Sequence, residues 1–416
     1  MPQIESIGSY LPPWAGRAGR IAGPDEDAIT LAVAAGREAL NGREVDRVVL
    51  VTRDHPLIEG GSAAVLLAGL GLSPGAEVVE RNGGAAAALD AVTGAAPGTL
   101  VIGSDTGAGG EPAGAAAALV TDAPGGLELQ AGVRMARSLP VRARGADGVT
   151  HDYDDPRLLR DRGLAETLRR VGEIAKPVAL AGGTAAQARS ACGDTAPELP
   201  TVGASASLFA LAALAESGAG GTVLAADQAS LSSAVLTGSG AAVVRRAERA
   251  ARPAPASRRT DGPPIPISLP AYDRAFTPKL TLHAGRSADG TLTFPPRRGL
   301  TDGSEPELVA LPRTGSVYTT TMINVPVPGM ATPYALVIAE LDDVGVRVLA
   351  RVTGWEADRV AIGDRGRLVF RRVAVRSGIP DYGYAFLPDE PDEPGEPDEP
   401  GLSDVSGSGE NEEQSA

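Results

Sequence analysis

The sequence is poorest in the side chains that most often do chemistry in proteins. Its 416 residues include one cysteine, Cys192, three histidines and two lysines, Lys176 and Lys279. A single cysteine excludes an intramolecular disulfide and a structural zinc site built from several thiolates. The scarcity of lysine beside abundant arginine, alanine and glycine indicates a GC-rich genome of the actinobacterial kind and says nothing about mechanism.

The chain also lacks a leader pattern and long apolar runs. Its first residues, MPQIESIGSYLPPW, have neither a basic nor an apolar region, and no window reaches the roughly 18 uninterrupted apolar residues of a membrane span. We therefore expect a cytoplasmic protein with no membrane partner. The net charge is −14, and eleven carboxylates follow from Asp389 onward without a basic residue, so nucleic acid is not an expected partner either.

Strand and helix patterns alternate from residue 1 to about 250. Apolar runs such as VDRVVLVT and TLVIGSD are separated by Ala-rich helical periodicity, first over 25–40, which predicts a layered α/β domain with a buried sheet. The order strand, turn, helix, strand occurs twice, roughly 120 residues apart, as in an internal duplication. We therefore predict two related halves, 1–123 and 124–250.

The remainder of the chain has a different composition. A linker rich in proline is predicted at 251–266, and five short strands separated by turn residues predict a small barrel at 312–388. The Asp/Glu-Pro repeats of 389–416 offer almost nothing to bury, so we expect a disordered acidic tail.

Several motifs of the first 245 residues stand in a characteristic order. They are IESIGSYLP, DEDAITLAVAAGREAL, VDRVVLVT, LAGLGLSPGAEVVE, GGAAAALDAV, TLVIGSD and GAAAALVTD, followed by LPVRARGADGVTHDYDDP. In this order they resemble the thiolase superfamily, and most of all its HMG-CoA synthase and ketoacyl synthase III branch. The resemblance implies a five-layered α/β fold that dimerises through sheet edges and helices near its site.

The C-terminal motifs carry a second resemblance. TFPPRRG (293–299), GSVYTTT (315–321) and GVRVLARVTGWEADRVAIGDRGRLVF (345–370) resemble the acyl-CoA-associated family made of a zinc ribbon followed by an OB-fold. Members of that family accompany thiolase-like proteins, sometimes as separate subunits. Where the family has four metal-binding cysteines this chain has none, so 267–311 is predicted to be a degenerate ribbon without zinc.

The resemblance also implies that the catalytic positions have changed. The family's acyl-accepting cysteine falls at Asn82, which cannot form a thiolate. Its acid/base glutamate falls at Arg53, so a cation replaces a carboxylate. Its histidine falls at Ala181 or a neighbour, and its asparagine falls at Ala204.

Other polar residues are weaker candidates. His55, in TRDHP, is the polar group that we expect nearest to the degenerate site. Arg297 and Arg298 are candidates for contacting a CoA phosphate or an acidic partner surface. Cys192 follows a helical pattern and precedes a loop, so we expect a structural role for it.

Two further motifs have simpler explanations than binding. The HDYDDP motif contains His151, Asp152, Asp154 and Asp155, which suit a metal but are more typical of an exposed turn. The glycines of GSDTGAGGEPAGA are not followed by the GK[ST] of a phosphate loop, so a strand-to-strand loop is the better interpretation.

These observations predict a non-catalytic subunit, either a homodimer or a hetero-oligomer with a catalytic thiolase or ketosynthase homologue, in the acyl-CoA metabolism of lipids, steroids or polyketides. Two alternatives stay open. One is an acyltransferase or HMG-CoA synthase-like enzyme without a covalent intermediate, with His55 or Asn82 polarising a thioester. The other is an acyl-CoA-binding module. No metal or resident cofactor is expected, and a CoA thioester is the candidate ligand.

Overall fold

The computed structural model of the chain describes residues 3–57, 60–107, 110–137, 139, 141–144, 150–153, 155–237, 240–258, 260, 276–297, 304–325, 328, 330–376 and 378–390. The tail predicted from Asp389 lies outside these residues except for its first two positions. Among the described residues, none of the helices combines the length and the apolar character that spanning a bilayer requires.

The elements of the α/β region are given in chain order. Its strands are β1 Gln3–Tyr10, β2 Trp14–Ala15, β3 Arg20–Ile21, β4 Arg47–Thr52, β5 Glu77–Asn82, β6 Thr99–Asp105, β7 Gly114–Thr121, β8 Leu127–Met135, β9 Arg142–Arg144, β10 Thr150–Asp152, β11 Pro177–Ala181, β12 Gly221–Asp227, β13 Ser230–Thr237, β14 Val243–Arg246 and β15 Arg252–Pro253. Its helices are α1 Ala28–Leu40, α2 Ala63–Leu70, α3 Ala85–Thr93, α4 Pro156–Arg162, α5 Leu164–Val171, α6 Ala185–Cys192 and α7 Ala206–Ser217.

The remaining strands belong to the C-terminal region. They are β16 His283–Arg286, β17 Leu292–Thr293, β18 Glu307–Ala310, β19 Thr314–Ile323, β20 Tyr334–Leu341, β21 Arg347–Arg351, β22 Arg365–Arg376 and β23 Ile379–Pro388, with a 3-10 turn at Ala357–Arg359.

One sheet contains both halves of the α/β domain. Its strand order is β11-β12-β13-β8-β1-β7-β6-β4-β5, with β14 beside β1. In the first half β1 is antiparallel to β7, β7 to β6, and β6 is parallel to β4. In the second half β8, β13, β12 and β11 repeat these pairings in the same chain order, although no described strand corresponds to β5. The predicted duplication is confirmed.

The helices divide this domain into five layers. Helices α3 and α7 lie together in the middle and pack against strands of both halves. Helices α1 and α2 cover the outer face of the first half, and α5 and α6 cover that of the second. The helix N-termini of α3 and α7 are thereby brought to the interior, where the family's site is expected.

Helix α1 begins later than the predicted residue 25. Asp27 is its N-cap, and the Asp27 side chain accepts hydrogen bonds from the N–H groups of Ile29 and Thr30 while the Thr30 hydroxyl accepts one from the Asp27 N–H. This reciprocal capping places the first helical residue at Ala28. Glu26 precedes this N-cap, and its carboxylate accepts a hydrogen bond from the Gly23 N–H at 2.7 Å.

The C-terminal strands form the predicted barrel. Their order is β21-β20-β19-β22-β23, and a bridge between Val352 and Phe386 joins the two ends. Before it, β17, β16 and β18 form a separate three-stranded sheet in the region predicted as a degenerate ribbon. The barrel has its own core, which includes Val317, Val337 and Leu368.

The barrel packs on the outer face of α1 and α2. Phe370 and Tyr382 are buried in the same apolar cluster as these helices. Beside them, the Arg371 guanidinium lies 3.1 Å from the Glu26 carboxylate and donates to the Tyr10 hydroxyl at 2.8 Å. The Tyr382 hydroxyl donates to Asp27 at 2.9 Å. Barrel and α/β domain are thus joined through a buried polar network as well as apolar packing.

Candidate functional site

The position expected for a nucleophile lies between β5 and α3. Asn82 is the last residue of β5 and is exposed, and Gly83 and Gly84 connect it to α3, which begins at Ala85. Gly84 is the N-cap, and no side chain of its own caps the helix. The turn therefore needs an anion from elsewhere to satisfy the partial positive charge of the helix N-terminus.

That anion is Asp227, the last residue of β12. Its carboxylate accepts a hydrogen bond from the Gly84 N–H at 2.8 Å and lies 2.6 Å from the Arg53 guanidinium. A Cβ atom at Gly84 would lie 2.3 Å from Arg53 Nη2, so the guanidinium is held directly against the turn. Arg53, at the position expected for the family's acid/base glutamate, and the helix N-terminus are thus both paired with one carboxylate.

The second half contains a related arrangement. Asp105, the last residue of β6, accepts hydrogen bonds from the N–H groups of Ala204 and Ser205 at 2.7 and 2.9 Å, ahead of α7. Burial raises the pKa of Asp105 to about 6, although the hydrogen bonds from Ser205 and Ala204 oppose that shift. Each half therefore supplies a strand-end aspartate that caps the central helix of the other half. The Ala204 N–H, at the position expected for the family's asparagine, is already bonded.

The position expected for the family's histidine has little room for a side chain. Ala181 ends β11 and is fully buried. At the next residue, Gly182, φ is 77°, and an added Cβ would lie 2.0 Å from the Ala226 carbonyl oxygen. A histidine at Gly182 would therefore clash with the backbone of β12.

His55 is placed beside β5 but is not assembled into a catalytic pair. Its Nδ1 is 3.7 Å from a Glu80 carboxylate oxygen, which is beyond hydrogen-bond distance. That nitrogen is buried and has no hydrogen-bond partner among the described residues. Arg53, which the sequence suggested as its neighbour in the site, pairs with Asp227 instead.

The remaining sequence candidates lie apart from this site. Cys192 closes α6 and is buried, which raises the pKa of its thiol, although the Lys176 cation opposes the shift. Arg297 is exposed, and its neighbour Arg298 lies outside the described residues.

The HDYDDP motif is only partly described. His151 is exposed in β10, and the Asp155 side chain caps α4 by accepting from the Arg157 N–H at 2.9 Å. Asp152 is the last residue of β10, and Asp154 lies outside the described part, as do residues 108–109 of the Gly-rich loop. Within the described ranges, no group of three or more His, Cys, Asp or Glu side chains is arranged to hold a metal ion.

Sequence reasoning missed both capping aspartates. The signal was present, because TLVIGSD and GTVLAAD are equivalent buried strands that both end in aspartate. A carboxylate at the same strand end of each duplicated half points to a shared structural task, which is here the capping of a buried helix.

The topology and this site define the chain as a thiolase-like α/β domain fused to an OB-fold barrel. The family model for the C-terminal OB-fold domain of ChsH2 matches residues 308–371. A DUF35 domain-containing scaffold protein of Pyrococcus furiosus is 30% identical over 129 residues, which are 30% of this chain and 94% of that protein. The chain belongs to the family of DUF35 domain-containing scaffold proteins.

A second scaffold protein of this family, from Methanothermobacter thermautotrophicus, is 32% identical over 78 residues, 18% of this chain, and the chain spans 58% of its length. Among solved structures, the 3-oxoacyl-[acyl-carrier-protein] synthase III of Aquifex aeolicus is similar with a TM-score of 0.47 and 17% identity, covering 57% of this chain and 100% of that one. Cerulenin-bound OleA of Xanthomonas campestris has a TM-score of 0.46 and 14% identity over 57% of this chain and 97% of its own.

Proposed function

We propose that this chain is a non-catalytic subunit that assembles with a catalytic thiolase or ketosynthase homologue acting on acyl-CoA substrates. The observation that carries the proposal is the Arg53–Asp227 ion pair at the N-terminus of α3, beside Asn82. The helix N-terminus that would stabilise a thiolate or an oxyanion is already bound to a carboxylate of the same chain.

The chemistry of condensation argues in the same direction. Acyl transfer through a covalent intermediate needs a nucleophile, an acid/base group and oxyanion donors, and each of the last two contributes on the order of a hundredfold or more to the rate. Asn82 cannot form a thiolate nucleophile, and Arg53 is a cation paired with Asp227 and not a proton acceptor. The Ala204 N–H is consumed by Asp105.

An open sheet edge supports assembly. Among the described residues β5 pairs only with β4. The Glu77 and Gly83 N–H groups donate to carbonyls of Asp46 and Thr52, and the pairing between them is regular. Since backbone groups alternate along a strand, those of Val78, Glu80 and Asn82 point away from β4. Such an edge is a template for a strand of another subunit, and the name "scaffold protein" borne by the relatives fits this role.

The edge is tested by substituting one of its outward-facing residues. Both Glu80→Pro and Glu80→Ala remove the Glu80 carboxylate, but only Glu80→Pro also removes the backbone N–H. That N–H points away from β4, so an edge strand can lose it without losing a bond within the chain. We expect Glu80→Ala to retain, and Glu80→Pro to lose, the subunit that co-purifies with the chain from its native host. If the chain forms a homodimer, light scattering should show a dimer for Glu80→Ala and a monomer for Glu80→Pro. Equal assembly by both variants would contradict pairing through β5.

The loss of catalysis is tested on the full chain with acetyl-CoA and longer acyl-CoAs. We expect no acyl adduct in the intact mass and no steady release of CoA. Asn82→Cys should also fail to turn over, because it restores the nucleophile without the acid/base and oxyanion groups. An adduct on the natural chain, or CoA release without a partner, would show that the chain is an enzyme.

A further inference from the structure

A cavity of about 220 Å³ lies between the α/β domain and the barrel, on the side of α1 opposite the degenerate site. It is lined by α1, by the segment after β14 and by β22 and β23. The charged residues in its lining are Arg37, Glu38, Arg249, Arg313, Arg367 and Arg371. Five cations and one carboxylate therefore surround a space that both domains create.

Only one of the five arginines has its charge matched nearby. Arg371 is neutralised by Glu26 at 3.1 Å. Within the described ranges no carboxylate lies within ion-pair distance of Arg37, Arg249, Arg313 or Arg367; the opposite charges that act on Arg249 are the more distant Asp389 and Glu390. The cavity thus carries an excess of positive charge.

Two of these guanidinium groups also have buried nitrogens without acceptors. Arg37 donates from one nitrogen to the Tyr384 hydroxyl at 3.0 Å, and Arg249 donates from one to the Pro388 carbonyl at 2.6 Å. Arg37 Nε and Arg249 Nη1 are buried and find no partner among the described residues. A buried charged donor without an acceptor is unfavourable, so an acceptor brought within reach of these atoms would be favoured.

The electrostatic environment agrees with this geometry. Burial lowers the pKa of Arg37 to about 10, with a further decrease from the repulsion of Arg313. Burial likewise lowers the pKa of Arg249 to about 10, and Arg367 adds repulsion. An anion placed among these side chains would relieve both effects.

We propose that this interdomain cavity binds a compact, multiply charged anion of the phosphate class. Guanidinium forks match phosphate oxygens in pairs, and a phosphate offers more charge and more acceptors than a single carboxylate. The volume is below the roughly 300 Å³ at which pockets for drug-sized ligands begin, which favours phosphate or pyrophosphate over a whole nucleotide. Tyr10, Val33 and Phe370 supply an apolar wall that strengthens the charge interactions.

The site is independent of the proposed function, because none of its residues belongs to the turn at Asn82 or to the β5 edge. Since Arg37 comes from the α/β domain and Arg367 from the barrel, a bound anion would hold the two together.

The test is calorimetric titration of the full chain with inorganic pyrophosphate at low ionic strength. We expect one saturable site per chain, weakened on the order of tenfold by Arg37→Gln and by Arg367→Gln. Arg160→Gln is the control, because it makes the same charge change at an exposed residue of α4 that pairs with Asp161. Arg367 is exposed at the rim and makes no described hydrogen bond through its side chain, so its variant keeps the test valid if Arg37→Gln folds poorly.

Two further titrations identify the source and class of the anion. We expect adenosine 5′-diphosphate to bind more weakly than pyrophosphate. If it binds equally or more tightly, the site still binds phosphate, but its ligand is a larger phosphate ester. Tighter binding of citrate would overturn the phosphate class. The absence of saturation at millimolar pyrophosphate, or an equal loss in Arg160→Gln, would overturn the site itself.

Discussion

Asp227 and Asp105 lie at equivalent strand ends of the two halves, but their surroundings give them different partners. Asp227 is partly exposed and shares its charge between Arg53 and the Gly84 N–H. Asp105 is buried and has only hydrogen-bond donors for its charge, so its pKa rises to about 6. Both strands end in an aspartate, and their surroundings differ: Asp227 is paired with a cation, whereas burial raises the pKa of Asp105 to about 6.

Asp105→Asn should change the pH dependence of stability. The pKa of Asp105 is about 6 in the folded chain and about 3.9 when unfolded. The folded state therefore binds the extra proton between these values, and the stability of the natural chain relative to the variant falls as pH rises from about 4 to about 6. The decrease should be on the order of 2 to 3 kcal/mol.

Urea unfolding of both proteins at several pH values between 4 and 7 measures this difference. Other carboxylates titrate in both proteins and cancel in the comparison. A difference in unfolding free energy that stays constant over this range would show that folding does not raise the pKa of Asp105.

At the scale of single elements, the contact between α1 and β1 depends on one small residue. An added Cβ at Gly8 of β1 would lie 2.2 Å from the Ala35 carbonyl oxygen and 2.3 Å from the Ala39 nitrogen. Both are backbone atoms of α1, which cannot move aside as a flexible side chain could. Gly8 therefore sets the distance between this helix and the sheet, and with it the position of the surface on which the barrel docks.

Gly8→Ala should lower the free energy of unfolding by about 3 kcal/mol, because the helix must shift away from the sheet. Gly75→Ala is the matched control: its nearest neighbour to an added Cβ is the Ser73 hydroxyl at 3.6 Å, so the change should stay within about 0.5 kcal/mol. Chemical denaturation of both variants decides the matter. Similar losses would mean that the helix-to-sheet distance tolerates a methyl group.

At the scale of the whole molecule, the barrel is docked through buried charge. Arg371 of β22 and Glu26 ahead of α1 are both almost fully buried and pair at 3.1 Å, while Arg372 donates its N–H to the Asp25 carbonyl at 2.9 Å. A buried ion pair adds little net stability over an apolar contact, but it penalises any arrangement that separates its members. We therefore expect this pair to favour the observed orientation of the barrel on α1.

Arg371→Ala should destabilise the molecule by about 3 to 5 kcal/mol, because it leaves the Glu26 carboxylate buried without its cation. The amide hydrogen-exchange rates of this variant should increase more in β22 and β23 than in β6. Arg365→Ala removes an exposed cation that pairs with Asp342 and should change exchange little. If β6 loses protection together with β22, the barrel and the α/β domain unfold as one unit.

Much of the architecture could be predicted from the sequence, because it is encoded locally. Buried strands such as TLVIGSD and helices rich in alanine recur in the same order, and the five barrel strands are marked by their turn residues, so the two α/β halves and the barrel followed from pattern alone. The start of α1 was placed two to three residues too early, because several acidic residues precede the helix and only the structure shows that Asp27 is the N-cap.

The sequence by itself determined the fold class, the duplication and the presence of Asn82 in the turn before α3. Only the tertiary structure decided what surrounds that residue. Asp227 reaches Gly84 across 143 positions and Asp105 reaches Ser205 across 100. The arginine-lined cavity likewise joins residues from distant parts of the chain, such as Arg37, Arg249 and Arg367. Contacts between side chains so far apart in sequence produce no periodic pattern that sequence reasoning could detect. They form because packing of the two halves and the barrel excludes water, and a buried charge is stable only when it is paired.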